Sequence, residues 1–315
     1  MNAILYMKMG DPLFHRELFM IACLSNMEEL LKSPDRIAYM HQFDKLVLDS
    51  PKSIIRDNKF LLTLEEFKVF VSKCINLDCV DESKNQLIHY ACFANGDLDI
   101  VKCLIASGVD INCANNYNIY PIHYACINGD ESLKIVECLV ASGADINVVG
   151  VDGETPLMIA CDSGKNSLNL VEYLLENGAD VNAFHKSGTP LTNACMHENS
   201  SQLIKCLVDH GAYVNLTSSD CYSPLILACQ FGTLESIKIL VENGANVNQY
   251  DEYILKWPIH YVCDRGDDAL EMVEYLLKNG ADVNTLDNNG NTLLSRALQK
   301  YPSPIRLINF LKDMI

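Results

Sequence analysis

Apolar residues along this chain fall in short stretches of helical spacing, parted by polar, turn-forming residues. The segment from Asn115 to Val148 shows the unit. Pro121 suits a first helical turn, where a missing N–H is harmless. Ile122, Ala125 and Cys126 follow at i, i+3 and i+4, marking one apolar helical face. Asn128-Gly129-Asp130 breaks that helix. Leu133, Val136, Leu139 and Val140 mark the face of a second helix, and Gly143 ends it as a left-handed residue. Asp145-Ile146-Asn147 then leads into a turn-rich link with the chemistry of a tight hairpin. Neither helix is long enough to be stable alone, so each must bury its stripe against neighbouring units.

The unit recurs. Its closing glycines are Gly108, Gly143, Gly178, Gly211, Gly244 and Gly280, giving periods of 35, 35, 33, 33 and 36 residues. A period of this size predicts a stacked array of helix pairs, with an extended surface in place of a single reaction centre. From the inner alanine (Val262 in the sixth unit) to the closing glycine the count is 17, 18, 18, 17, 16 and 18. The extra residues are best placed in the turn between helices, where insertions cost little. The link before the fourth helix pair is short (Phe184 to Gly188) and that before the sixth is long (Tyr250 to Trp257).

These residues resemble the ankyrin repeat. Thr155-Pro156-Leu157, Pro121-Ile122-His123-Tyr124-Ala125, Pro258-Ile259-His260 and Gly178-Ala179-Asp180-Val181-Asn182 carry the likeness, which covers about residues 81–315. It implies an all-α solenoid of helix-turn-helix units with β-hairpin fingers, and a protein-binding role in a concave groove. We expect six repeats over 81–285 and a C-terminal capping repeat over 286–315, its outer face made polar by Arg296, Gln299, Lys300, Arg306 and Lys312.

Residues 1–80 show a weaker pattern. Thr63-Leu64-Glu65-Glu66 forms a capping box with Leu62 and Phe67 as its staple, predicting a helix from about Leu64 to Lys73. Phe19 to Cys23 and Met27 to Leu31 look like a degenerate helix pair. The segment is expected to be a helical N-terminal cap. The alternative is an adaptor acting through a separate helical module in 1–80, with the repeats for targeting.

Charge narrows the partners. The net charge is −17, and residues 81–315 carry 14 basic against 30 acidic side chains. Such an array repels phosphate backbones and anionic membranes, so neither nucleic acid nor membrane insertion is expected. No apolar run reaches 18 residues, and Met1 to Phe14 makes a poor signal peptide. Cys92, Cys126, Cys161, Cys195, Cys229 and Cys263 share one repeat position. Stacked helices stand about 8–10 Å apart, beyond the ~7 Å Cα limit of a disulfide. Free thiols point to an intracellular, cytoplasmic setting, with a nuclear one compatible.

Catalytic and metal chemistry find little support. His89 with Cys92, His123 with Cys126, and His260 with Cys263 are spaced i, i+3, yet Met158, Thr192 and Ile226 take the histidine position elsewhere while cysteine persists. Four ligands at short spacing are missing, as is any nucleophile–base–orienter set. No enzyme activity, metal or cofactor is expected.

By alignment with the family, the groove candidates at the fingers are Asn116, Tyr117, Ile119, Val151, Asp152, Glu154, Asp220, Tyr222, Tyr253, Ile254 and Lys256. Those at inner-helix ends are Phe93, Ile127, Asp162, Met196, Gln230, Phe231, Asp264 and Arg265. The apolar members beside acidic ones suit a partner protein with an apolar ridge and basic edges, bound by a monomeric scaffold, adaptor or inhibitor.

Overall fold

The structure, a computed structural model, describes residues 83–93, 98–163, 167–186, 188–218, 222–251, 255–300 and 304–314, with Leu77 and Val80. The cap expected over 1–80 lies outside the described residues apart from those two. The chain divides into two compact units, Met1–Gly178 and Ala179–Ile315.

In the first unit, α1 (Leu87–Phe93), α3 (Pro121–Cys126) and α5 (Pro156–Asp162) pack in an inner row, each on the next. The outer row is α2 (Leu98–Ala106), α4 (Leu133–Ala141) and α6 (Leu168–Glu176). Ile88, Leu104, Ile122, Leu139, Leu157 and Leu170 fill the space between rows and are fully buried. The second unit repeats this plan. Its inner row is α7 (Pro190–Cys195), α9 (Pro224–Phe231), α11 (Pro258–Cys263) and α13 (Leu293–Gln299). Its outer row is α8 (Ser201–Asp209), α10 (Leu234–Glu242), α12 (Leu270–Lys278) and α14 (Ile305–Met314).

Hydroxyls start many of the inner helices. Thr155, Thr189, Ser223 and Thr292 each accept from the backbone N–H three residues on, at 3.1–3.3 Å. The six closing glycines sit at φ between +81° and +96°, a region where a side chain would be strained. Lengthened inter-helix turns have a use as well. Between α3 and α4 the turn Gly129–Ser132 is a 3-10 helix, and it presents Asp130 to the next repeat. Asp130 accepts from Leu170 N–H and Asn169 Nδ2, both at 2.8 Å, and so caps the first turn of α6.

The joint between repeats is made by the asparagine that closes each Gly-Ala-Asp-Val-Asn motif. Nδ2 of Asn112, Asn147, Asn182, Asn215 and Asn248 donates to the carbonyl of Gly143, Gly178, Gly211, Gly244 and Gly280, at 2.8–3.0 Å. Oδ1 of Asn112, Asn182, Asn215 and Asn248 accepts a backbone N–H two residues beyond that glycine, at 2.8–3.2 Å. Each side chain thereby holds the carbonyl of the glycine that stands two residues past the end of the following outer helix. Replacing Asn215 by alanine removes two solvent-accessible hydrogen bonds, and a loss of about 1–2 kcal/mol is expected in urea unfolding. Asn284, the last of the series, donates to no such carbonyl, and its alanine variant should lose clearly less.

Candidate functional site

The fingers are turns with little sheet. Among the described residues there are no strands, only isolated bridges at His185–Gly188 and Asp251–Lys256. One backbone bond closes each standard finger: Asn115 N–H to Ile119 O, Gly150 to Glu154, Ser218 to Tyr222 and Asp287 to Asn291, at 2.9–3.1 Å. The closing residues are four apart. In the fourth finger they are His185 and Gly188, three apart, and in the sixth Asp251 and Lys256, five apart. The irregular finger lengths visible in the sequence are therefore real changes of loop size at two places.

This closure decides which candidate residues reach the surface. In the first unit Tyr117 is 46% and Val151 58% exposed, with Asn116 and Asp152 also exposed. Ile119 and Glu154, at the closing positions, are buried, and so is Ile127 at the end of α3. Phe93 and Asp162 are half-buried, the Phe93 ring meeting Tyr124 edge-on at 5.4 Å. In the second unit Met196, Gln230 and Phe231 are exposed, while Tyr222, Lys256, Asp264 and Arg265 are half-buried. Asp220, Tyr253 and Ile254 lie outside the described residues.

Charge at the end of α11 is organised. Arg296, from α13, reaches both oxygens of Asp264 with Nη2 and Asp287 Oδ2 with Nη1. Lys256 Nζ approaches Asp264 at 3.3 Å and lies 5.0 Å from the centre of the Tyr261 ring. Tyr261 donates to Asp251 at 2.9 Å. Burial, with this bond to a carboxylate, pushes the Tyr261 hydroxyl well above its ordinary range. Burial by itself would raise Asp287. Hydrogen bonds from Asn291, Arg296 and Asn289 outweigh it and hold the carboxyl well below the usual range. Arg296 was expected on a polar outer face; only 14% of its side chain is exposed, because its two carboxylate partners come from the preceding repeat and finger.

The histidines are structural. Nδ1 of His89, His123 and His260 accepts from the N–H of Gln86, Tyr120 and Trp257, at 3.0–3.2 Å. That bond places the ring proton on Nε2, which donates to Ile119 O from His89 and to Val148 O from His123, both at 3.2 Å. His260 Nε2 faces the Thr285 backbone without a hydrogen bond of normal geometry. The histidine thus starts its helix where the hydroxyl cap is absent, and His89 and His123 also join theirs to the next repeat. The six thiols of the inner-helix ladder are buried and stand outside any disulfide. Burial raises Cys92, Cys126, Cys195 and Cys229, and takes Cys263 to about 12, leaving these sulfurs protonated and inert at neutral pH. Among the described residues no group of three or more His, Cys, Asp or Glu is placed to hold a metal ion, and no helix is long and apolar enough to cross a membrane.

Some exposed apolar residues stand outside the sequence-derived set. Val149 in the first unit, and Phe184 and Tyr250 in the second, lie two residues after a joint asparagine, and Leu286 lies two after Asn284. Recurrence of apolar type at one repeat position reads as core in a sequence, and here it marks the surface. Tyr250 stacks obliquely on Trp257, ring centres 5.2 Å apart. Leu255, at the sixth finger, is 49% exposed.

Comparison with known proteins agrees with this architecture. The family described as "Ankyrin repeats (3 copies)" matches residues 88–185 and 183–251, and "Ankyrin repeats (many copies)" matches 240–297. The crystal structure of the human ASB11 ankyrin repeat domain is similar at 25% identity and a TM-score of 0.62, covering 73% of this chain and 98% of that one. In all, 535 solved chains match, so the frame is too widely shared to single out a partner. No curated protein matches the chain.

Proposed function

The chain belongs to the ankyrin repeat family, whose repeats mediate protein–protein interaction, and from that premise we propose that it is a non-catalytic scaffold, adaptor or inhibitor. It holds a partner protein against its fingers and inner-helix ends. The observation that carries this reading is the exposure of large apolar side chains where the stack has no need of them: Tyr117 and Val151 in the first unit, Met196 and Phe231 in the second. Covering a side chain of this size is worth roughly 1.5–3 kcal/mol. Asp152 and Asp162 stand at the finger and helix end of one repeat beside Val151, which favours a partner with basic groups flanking an apolar ridge there. In this reading the protein acts as a monomer inside the cell, with the helix pair over 286–315 as a capping repeat.

The test is the triple replacement of Tyr117, Tyr222 and Phe231 by alanine. Partner binding, measured by calorimetry against the protein recovered from native extract, is expected to weaken at least about 100-fold. The far-ultraviolet spectrum should not change. Full retention of affinity in a folded triple variant would remove these positions from the interface.

A further inference from the structure

We propose that the cavity between the ends of α8 and α10 seats an uncharged apolar side chain, flanked by uncharged residues, from a partner protein, with Tyr213 as its aromatic wall. This rests on the protein-binding reading above and adds a second surface, built from none of the residues assigned to the fingers and inner-helix ends.

The links that follow the outer helices share a local bond. Oδ1 of Asp110, Asp145, Asp180, Asn246 and Asp282 accepts the N–H of the asparagine two residues on, at 2.8–3.0 Å. The fourth link has Tyr213 at this position. A phenol cannot fold back on the backbone two residues away, so the turn bond is given up there. The main chain of Tyr213 is still held, its N–H donating to Asn182 at 2.8 Å. The side chain is 64% exposed. A ring that forgoes a turn bond and gains little burial adds nothing to the fold that aspartate would not. Exposed tyrosine of this kind is a frequent anchor in interfaces.

The ring borders an open cavity of about 520 Å³. Val208 in the last turn of α8, with Ala212, Val214 and Leu216, gives it apolar walls, and Asn215 and Asn243 supply the polar part. Both amides are engaged. Asn215 holds Gly244 O and the Asn246 N–H, and Asn243 Nδ2 donates to Ile239 O at 2.8 Å. What the lining lacks is an apolar group to cover Tyr213 and the half-buried Val208, Val214 and Leu216.

Charge selects the flanks. The motif position is acidic at Asp110, Asp145, Asp180 and Asp282, and neutral at Tyr213 and Asn246. The cavity is lined from the first of these neutral links and from the residue that leads into the second. The acids that end the two helices are engaged as well, Asp209 with Lys205 at 3.1 Å and Glu242 with the Tyr275 hydroxyl. Such a window offers a cation less than the other links do, while the net charge of −17 disfavours an acidic segment.

The experiment pans a random dodecapeptide display library on the full-length chain. Recovered peptides are measured by fluorescence anisotropy against the wild type, Tyr213→Asn and Leu216→Gln. The variants copy Asn246 and Gln249, which the next repeat carries at these positions. Winners rich in Leu, Ile, Phe or Trp and without charged residues are expected, each weakened at least about tenfold by either variant. Their affinity should change less than about twofold between about 0.05 and 0.5 M salt. Tyr213→Asn should melt at the wild-type temperature or above it, since the turn bond is restored. Charged winners whose binding falls steeply with salt, or neutral winners indifferent to both variants, would overturn the site. So would a lower melting temperature in Tyr213→Asn, which would assign the ring to packing, or self-association lost in that variant, which would give the cavity to a second copy. Winners released by Tyr117→Ala but kept by both cavity variants refute this site and leave the finger reading standing. A library that yields no peptide retained over blank support refutes both.

Discussion

Replacing Arg296 by alanine should destabilise the second unit by about 3–5 kcal/mol, the usual cost of stranding one side of a buried ion pair. Asp287 is left with its side chain fully buried and its cation gone, although Asn289 and Asn291 still donate backbone N–H groups to it, both at 2.9 Å. Asp264 loses a two-oxygen contact in the same step. Burial would lower the Arg296 pKa, but the hydrogen bonds and charges of Asp264 and Asp287 outweigh it and keep the guanidinium protonated. The measurement is a urea unfolding curve followed at 222 nm. A double variant, Arg296→Met with Asp287→Asn, removes both charges while keeping an amide oxygen for the Asn289 and Asn291 N–H groups, and should recover part of the loss. If Arg296→Ala unfolds at the wild-type midpoint, the cluster carries no net stabilisation.

Acid should loosen the protein between pH 6.5 and about 4, well before the Asp287 carboxyl is affected. Burial lowers His123 from 6.5 to about 4; bonds to the Val148 and Glu154 backbone partly oppose that, and the nearby His89 adds to it. His260 is also lowered to about 4, by burial and then by Arg296, against the pull of Thr285, Asp287 and Asp264. The sign follows from proton uptake. Between these pH values the unfolded chain binds a proton that the folded histidine refuses, so stability is full above 6.5 and declines as the pH falls toward 4. For His123 the total is about 3 kcal/mol. Asp287, depressed below its ordinary range, stays ionised throughout this window and loses its contribution only at lower pH. Protonation puts a hydrogen on the Nδ1 that accepts from Tyr120 N–H, so the start of α3 opens first. A Tyr120→Thr, His123→Met variant copies the Thr155–Met158 pair of α5, and its urea midpoint should change less between pH 7 and pH 4.5. Equal pH dependence in the two proteins would show that His123 does not govern acid stability.

What the sequence conveys well is what each repeat does within itself. Helix starts at Pro121 and Pro156, left-handed ends at Gly143 and Gly178, and altered finger lengths around Phe184 and Tyr250 all follow from local chemistry, and the structure has them at those places. What it conveys poorly is pairing across a period. Arg296 reads as solvent-facing because Asp264 is 32 residues away and Asp287 belongs to a turn. Ile119 and Glu154 read as finger surface because family alignment puts them near the tip, and the single bond that closes each finger turns that position inward.

The asparagine joint has a bearing on how such a chain can change. It reads only main-chain atoms of the repeat that follows. Asn182 accepts from the N–H of Tyr213, Asn215 from that of Asn246 and Asn248 from that of Asp282, three unlike residues in one role. At this joint the coupling therefore works like a standard plug: the asparagine asks nothing of the side chains of the repeat that follows, which leaves them free to diverge there.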